Sequence, residues 1–78
     1  MPVTMKPVKS SNLKSVGYDA KLQELHVEFQ GGKTYVYEGV PPHIHEALAT
    51  AQSPGQYMGH VKTLGYKFRK LVSDPIGG

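Results

Sequence analysis

The side chains able to act on another molecule gather in two stretches of this chain. The first is Lys33–Glu38, KTYVYE, where Tyr35 and Tyr37 stand two residues apart. On a strand that spacing puts both rings on one face, and Lys33 shares it. RNA-binding modules stack single-stranded bases on sheet rings and hold phosphates with nearby cations. The alternative is that Tyr35 and Tyr37 fill the core, with their hydroxyls at its edge. Val36 decides between the two. If it points to the covered face, the tyrosines are exposed, and the reverse also holds.

The second stretch is residues 62–70. Lys62, Lys67, Arg69 and Lys70 lie in a segment with no acid between Glu46 and Asp74, and Tyr66 and Phe68 interleave with them. Lysine and arginine contact phosphates, and aromatic rings accept bases. The alternative here is a solvated edge with two aromatic anchors. Lys6, Lys9 and Lys14 precede the first acid, Asp19, so both ends are basic around a nearly neutral or acidic centre. The net charge is +3.

Other chemistry finds little support. There is no cysteine, which rules out disulfides and cysteine-ligated zinc. His43 and His45 would diverge by roughly 200° on a helix, so they make no ligand pair there. His26, His43, His45 and His60 read as surface residues, and no metal or cofactor is expected. None of the serines Ser10, Ser11, Ser15, Ser53 and Ser73 sits in a nucleophile elbow. Gly31-Gly32-Lys33 lacks the spacing of a phosphate-binding loop and reads as a hairpin turn. Ser53-Pro54-Gly55 reads as a helix cap rather than an anion site. The expectation is a protein that is not an enzyme.

The elements that must carry these residues are short. Seventy-eight residues allow one core, and such a chain buries only roughly 60% of its unfolded surface. No run approaches the length of a membrane helix, and residues 1–12 do not form a signal peptide. A cytoplasmic location is expected. Residues 1–7 read as a flexible arm, 8–72 as one domain and 73–78 as a flexible tail. Leu25, Val27 and Phe29 alternate with Glu24, His26 and Glu28, which is the period of a half-buried strand. Strands are predicted at 13–19, 22–29 and 33–38. Gly17 marks a bulge or a close backbone approach within the first.

Pro41-Pro42 and Ser53-Pro54 are helix starts. They predict helices over 41–51 and 54–63, with Gly65 as a left-handed cap. The expected fold is α+β: a three-stranded antiparallel meander, then two helices covering one face. The expected core is Leu13, Val16, Leu25, Val27, Phe29, Val40, Ile44, Leu48, Tyr57, Val61, Leu64 and Phe68, with at least one of Tyr35 and Tyr37. Met58 would broaden the stripe of the second helix. Residues 66–71 have mixed periodicity and read as a short strand or an irregular tail.

Four segments form a connected set: SSNLKSVGYD at 10–19, LHVEF at 25–29, GKTYVYEGVPP at 32–42 and ATAQSPGQYMGHVKTLGYKF at 49–68. Together they resemble the KTSC domain, a module named for the C-terminal extension of some lysyl-tRNA synthetases. The module is also found alone in small bacterial and phage proteins. The resemblance covers roughly residues 8 to 71, with Tyr35-x-Tyr37 as the family's named motif. It implies an unsettled function, with RNA binding suggested by the synthetase association, and no catalytic residue to carry over.

The charge layout and the resemblance lead to a non-catalytic binding module with RNA as its partner. Lys62, Lys67, Arg69 and Lys70 would contact phosphates, and Tyr35, Tyr37 or Tyr66 would stack bases. The alternative is a protein-interaction module or a homodimer. No membrane partner is expected.

Overall fold

Leu13–Asp19 (β2) is a strand buried at Leu13 and Ser15–Gly17, alternating apolar and polar residues make one of Glu24–Phe29 (β3), and a β-branched and aromatic run makes one of Thr34–Tyr37 (β4). The computed structural model describes residues 3–71. Two further strands flank these three, Lys6–Pro7 (β1) and Phe68–Leu71 (β5). The sheet is antiparallel throughout, in the order β1-β2-β3-β4-β5.

The sheet therefore has five strands rather than the expected three. β1 escaped detection because it is two residues long, contains a proline and has no periodicity. It also begins before residue 8, so part of the expected flexible arm is an edge of the domain. β5 is the strand alternative of residues 66–71; all four of its residues are exposed, and an edge strand without a buried face carries no clear alternation. The expected tail at 73–78 lies outside the described residues.

Local signals account for the turns. The β2–β3 turn is held by the Asp19 carboxylate, whose Oδ1 accepts from the backbone N–H groups of Lys21 and Leu22 at 3.0 and 3.1 Å. The β3–β4 hairpin needs two consecutive residues at positive φ. Gly31 and Gly32 supply them at φ 100° and 90°. Gly17 is a close approach rather than a bulge. A Cβ there would lie 2.6 Å from Val3 Cγ1 and 2.7 Å from Met5 Sδ. The register irregularity of β2 falls instead between Leu13 and Ser15.

Two nine-residue helices, Pro42–Thr50 (α1) and Pro54–Lys62 (α2), follow β4. Each starts with a proline, whose missing N–H has no intrahelical partner to lose. Ser53 stands at the N-cap of α2, but its side chain makes no capping hydrogen bond. Gly65 takes the left-handed conformation, φ 82°, just past the end of α2.

Ile44 and Leu48 of α1 and Met58 and Val61 of α2 pack on Leu13, Val16, Leu25, Val27, Tyr37 and Val40. The buried stripe of α2 is Pro54-Met58-Val61 rather than one through Tyr57. Tyr57 and Phe29 are half-buried against this core. Leu64 and Phe68, expected inside, are exposed.

The helices do not reach across the whole sheet. Five strands span about 19 Å at about 4.8 Å each, and α1 packs on β2, toward one side. On the same face Tyr37 of β4 is buried in the core, whereas Tyr35 of β4 is half-exposed and Phe68 and Lys70 of β5 are exposed.

Candidate functional site

Cross-strand register places four rings in a row on this part of the face. Tyr35 is opposite Val27 and Lys70, and Tyr37 is opposite Leu25 and Phe68. Alternation then puts Tyr35, Tyr37, Phe68 and Lys70 on the helix side of the sheet. Phe29, at the end of β3, meets Tyr35 edge-on with centroids 5.7 Å apart. Phe68 leans on both tyrosines, at 5.9 Å from Tyr35 and 5.4 Å from Tyr37. These separations lie within the usual range for paired aromatic rings.

The rings line a cavity of about 380 Å³ together with Tyr66, Lys33 and Lys62. The burial gradient across it is steep. Tyr37 is 4% exposed and belongs to the core, Tyr35 is half-buried, and Phe68 is 59% exposed. Burial pushes the Tyr37 hydroxyl above its ordinary value, and Tyr35 adds to the rise. Tyr37 is therefore a neutral floor at physiological pH, and Phe68 is an exposed platform.

The cations stand at one end. Lys33 leaves the β3–β4 hairpin, and Lys62 ends α2 with its Nζ 5.2 Å from the centre of the Phe29 ring. Neither forms an ion pair among the described residues. An arrangement of this kind can stack a flat aromatic ligand and neutralise an attached anion.

The other side of the sheet differs. Val36 is fully buried there between its register partners His26 and Arg69. Arg69 Nη1 donates to Glu38 at 2.9 Å, and Arg69 also reaches Glu24 at 3.5 Å. Ser15 donates to Glu28 at 2.8 Å. Val36 points away from the helices, so Tyr35 and Tyr37 lie on the helix side. The expected choice between core and platform is resolved unevenly, because Tyr37 is core and Tyr35 is half-exposed.

Of the seven residues expected to bind nucleic acid, Tyr35, Tyr37, Tyr66 and Lys62 line the same cavity. Lys70 shares its face. Arg69 is on the opposite face and engaged by two carboxylates. Lys67 is exposed in the loop before β5, where its carbonyl accepts the Glu38 N–H at 2.7 Å, and it does not line the cavity. Phe68, expected in the core, is exposed and lines the cavity instead, and Phe29 lines it while half-buried against the core. Strand parity places Phe68 beside Tyr37 only once the β4–β5 register is known.

A larger cavity, about 450 Å³, lies toward the other edge of the sheet, with Lys6, Tyr18, Asp19, Lys21 and His45 on its walls. Tyr18 and Asp19 on its walls are engaged, whereas Lys6 and Lys21 form no ion pair among the described residues. The Tyr18 hydroxyl donates to the Val40 carbonyl, and its ring stacks on His45 at 5.1 Å. Burial raises the Tyr18 hydroxyl above its ordinary value, aided by Asp19 and then Tyr66. The Asp19 carboxylate also lines it, whereas no acid lines the aromatic cavity. His26 and His45 are half-buried rather than on the surface. Among the described residues no three histidines or carboxylates converge on a metal position. No described helix is long and apolar enough to cross a membrane.

The KTSC domain family model matches residues 9–66. The chain belongs to the KTSC domain family. An uncharacterised protein of Stutzerimonas stutzeri is 42% identical over 65 residues, which cover 82% of this chain and 92% of that one. A segment of a lysine–tRNA ligase of Nostoc punctiforme is 37% identical over 67 residues, covering 86% of this chain but 12% of the ligase. The crystal structure of a KTSC domain protein from Yersinia pestis superposes with a TM-score of 0.82 at 33% identity. It covers 91% of this chain and all of that one. As a KTSC domain, the chain is an α+β unit with two helices against an antiparallel sheet.

Proposed function

We propose that this KTSC domain binds single-stranded RNA without chemically altering it. Bases stack on Phe68 and Tyr35, and phosphates pair with Lys33 and Lys62, with Lys70 at the border. The observation that carries this reading is the open aromatic cavity with two lysines unpaired among the described residues. Stacking on such rings is worth about 1–3 kcal/mol per base, and lysines left without carboxylate partners are available to phosphates. The homologous segment in a lysine–tRNA ligase supports an RNA ligand over other aromatic anions.

Fluorescence anisotropy against single-stranded RNA, duplex RNA and tRNA, at low and near-physiological salt, tests it. Preference for unpaired RNA that survives the higher salt is the expected result. No binding at low salt would remove the reading, since even nonspecific attraction should then appear.

A second reading has its own observation. β5 has no neighbour on its outer side among the described residues, and Phe68 and Leu71 are exposed along it. An open edge can pair with another copy of the chain, although Arg69 and Lys70 are the kind of edge charges that discourage pairing. Sedimentation across a concentration series separates the two readings. A monomer throughout would eliminate this second one.

A further inference from the structure

The aromatic cavity does not end at Phe29. Phe29 and Lys62 also line an adjoining cleft of about 310 Å³ that runs between the start of β2 and α2. Ser11, Asn12 and Gln30 face this second cleft, the buried Leu13 and Met58 lie beneath it, and no acid lines it. Gly55 marks its far side. A Cβ there would come within 3.0 Å of Ser10 Oγ and 3.2 Å of Asn12 Nδ2, so α2 lies close against the 10–12 loop. Gln30 Nε2 donates to the Leu13 carbonyl at 3.2 Å, which leaves its oxygen as an acceptor.

Resting on the RNA reading above, we infer that the binding unit is a dinucleotide. One base stacks in the aromatic cavity, the next enters the Asn12–Gln30 cleft, and the connecting phosphate sits at Lys62. Three features point this way. Lys62 is shared by both cavities and stands over the ring that divides them. Each cavity is near the lower end of ligand pockets, about 300–1,000 Å³, which suits one nucleotide rather than a longer stretch. The two differ in chemistry. The first offers ring faces that tolerate any base, and the second offers side-chain amides, which read base edges by hydrogen bonds. Sequence preference would thus arise in the second cleft, and sequence-tolerant affinity in the first.

The test is a titration of the whole chain with adenosine and uridine oligonucleotides of increasing length, starting from the 5′-mononucleotides. Affinity should rise by about tenfold from mono- to dinucleotide, as one further stacked or hydrogen-bonded base implies, and gain much less with each later residue. Asn12 is exposed, so Asn12→Asp should leave the fold intact while placing a carboxylate in the cleft. It should weaken dinucleotide binding by about tenfold and leave mononucleotide binding within about twofold. Amide resonances of Asn12, Gln30 and Gly55 should shift with the dinucleotide and not with the mononucleotide. Equal affinities for the two lengths, with Asn12→Asp silent, would overturn the dinucleotide unit while leaving the aromatic site standing. Absence of binding to every length at low salt would overturn both.

Discussion

Arg69 and Lys70 are neighbours in sequence, but they project from opposite faces of β5, and the two faces use charge differently. On the outer face the Arg69 guanidinium is shared between Glu38 and Glu24, beside a fully buried Val36. On the helix face Lys70 lies beside Tyr35, and Lys33 and Lys62 border exposed rings without a carboxylate. On the first face the arginine is paired, although the buried His26 Nε2 has no hydrogen-bond partner. The second has unspent charge and unspent aromatic surface. The basic residues of 67–70 therefore do not form one site, and a count of positive residues would misplace Lys67 and Arg69.

Reversing charge on the open face should break the comparison most severely. Lys33→Glu with Lys62→Glu is expected to lower RNA affinity by about 100-fold or more at low salt, as two phosphate contacts become repulsions. The milder pair Lys33→Ala and Lys62→Ala should reduce the log–log salt slope by about 1.4, or about 0.7 per contact on a single strand. Arg69→Ala should leave that slope unchanged. Anisotropy at several salt concentrations measures all three, and an effect of Arg69→Ala equal to that of either lysine would erase the distinction between the faces.

Phe68→Ala comes next. It should cost about 1–3 kcal/mol of binding with little loss of stability, because the ring is already largely in water. Val36→Ala should do the opposite. Removing two buried methyl groups costs about 1.5–2 kcal/mol of stability, and RNA affinity should not change. Chemical denaturation and anisotropy on the same two variants give a crossed result, and a Phe68→Ala protein as destabilised as Val36→Ala would return that ring to the core.

Arg69→Ala should cost no more than about 1 kcal/mol of stability, as expected for partly exposed ion pairs, and denaturation at low and high salt should show the difference shrinking.

The smallest effect belongs to the helix-covered half of the inner face. Burial holds His45 below its ordinary value, against an upward pull from Glu46, and Lys6 reinforces the lowering. A depressed histidine is neutral in both states well above pH 6.5, so it contributes no pH dependence there. As the pH falls through about 6.5 the unfolded chain takes the proton first, and stability declines until the folded histidine also titrates. His45→Phe keeps a ring against Tyr18 and removes this slope. The stability difference between the two proteins should therefore shift in favour of His45→Phe between about pH 7 and 5. Parallel curves would show that His45 is not held neutral by the fold.

Much of the framework was legible beforehand, because it rests on local rules. Period-two alternation located β3, the β-branched and aromatic run located β4, Gly31-Gly32 located the hairpin, and Pro42 and Pro54 located the helix starts. The resemblance carried by VGYD, TYVYE and the 49–68 segment led to the right family. Tyr35, Tyr37, Tyr66 and Lys62 were singled out as candidates from type and spacing alone.

Other features depend on distances between residues far apart in the chain. No local pattern records that β5 returns beside β4 after two helices, yet that pairing seats Phe68 on Tyr37 and sends Arg69 to the other side. No local pattern records that two nine-residue helices leave β5 and Tyr35 of β4 partly uncovered, yet that shortfall leaves Phe68 outside the core and opens the cavity. Sequence determined which residues could stack and which could neutralise a phosphate. Tertiary structure decided which of them meet, because a side chain's face follows from register, and its exposure follows from what the rest of the chain is long enough to cover.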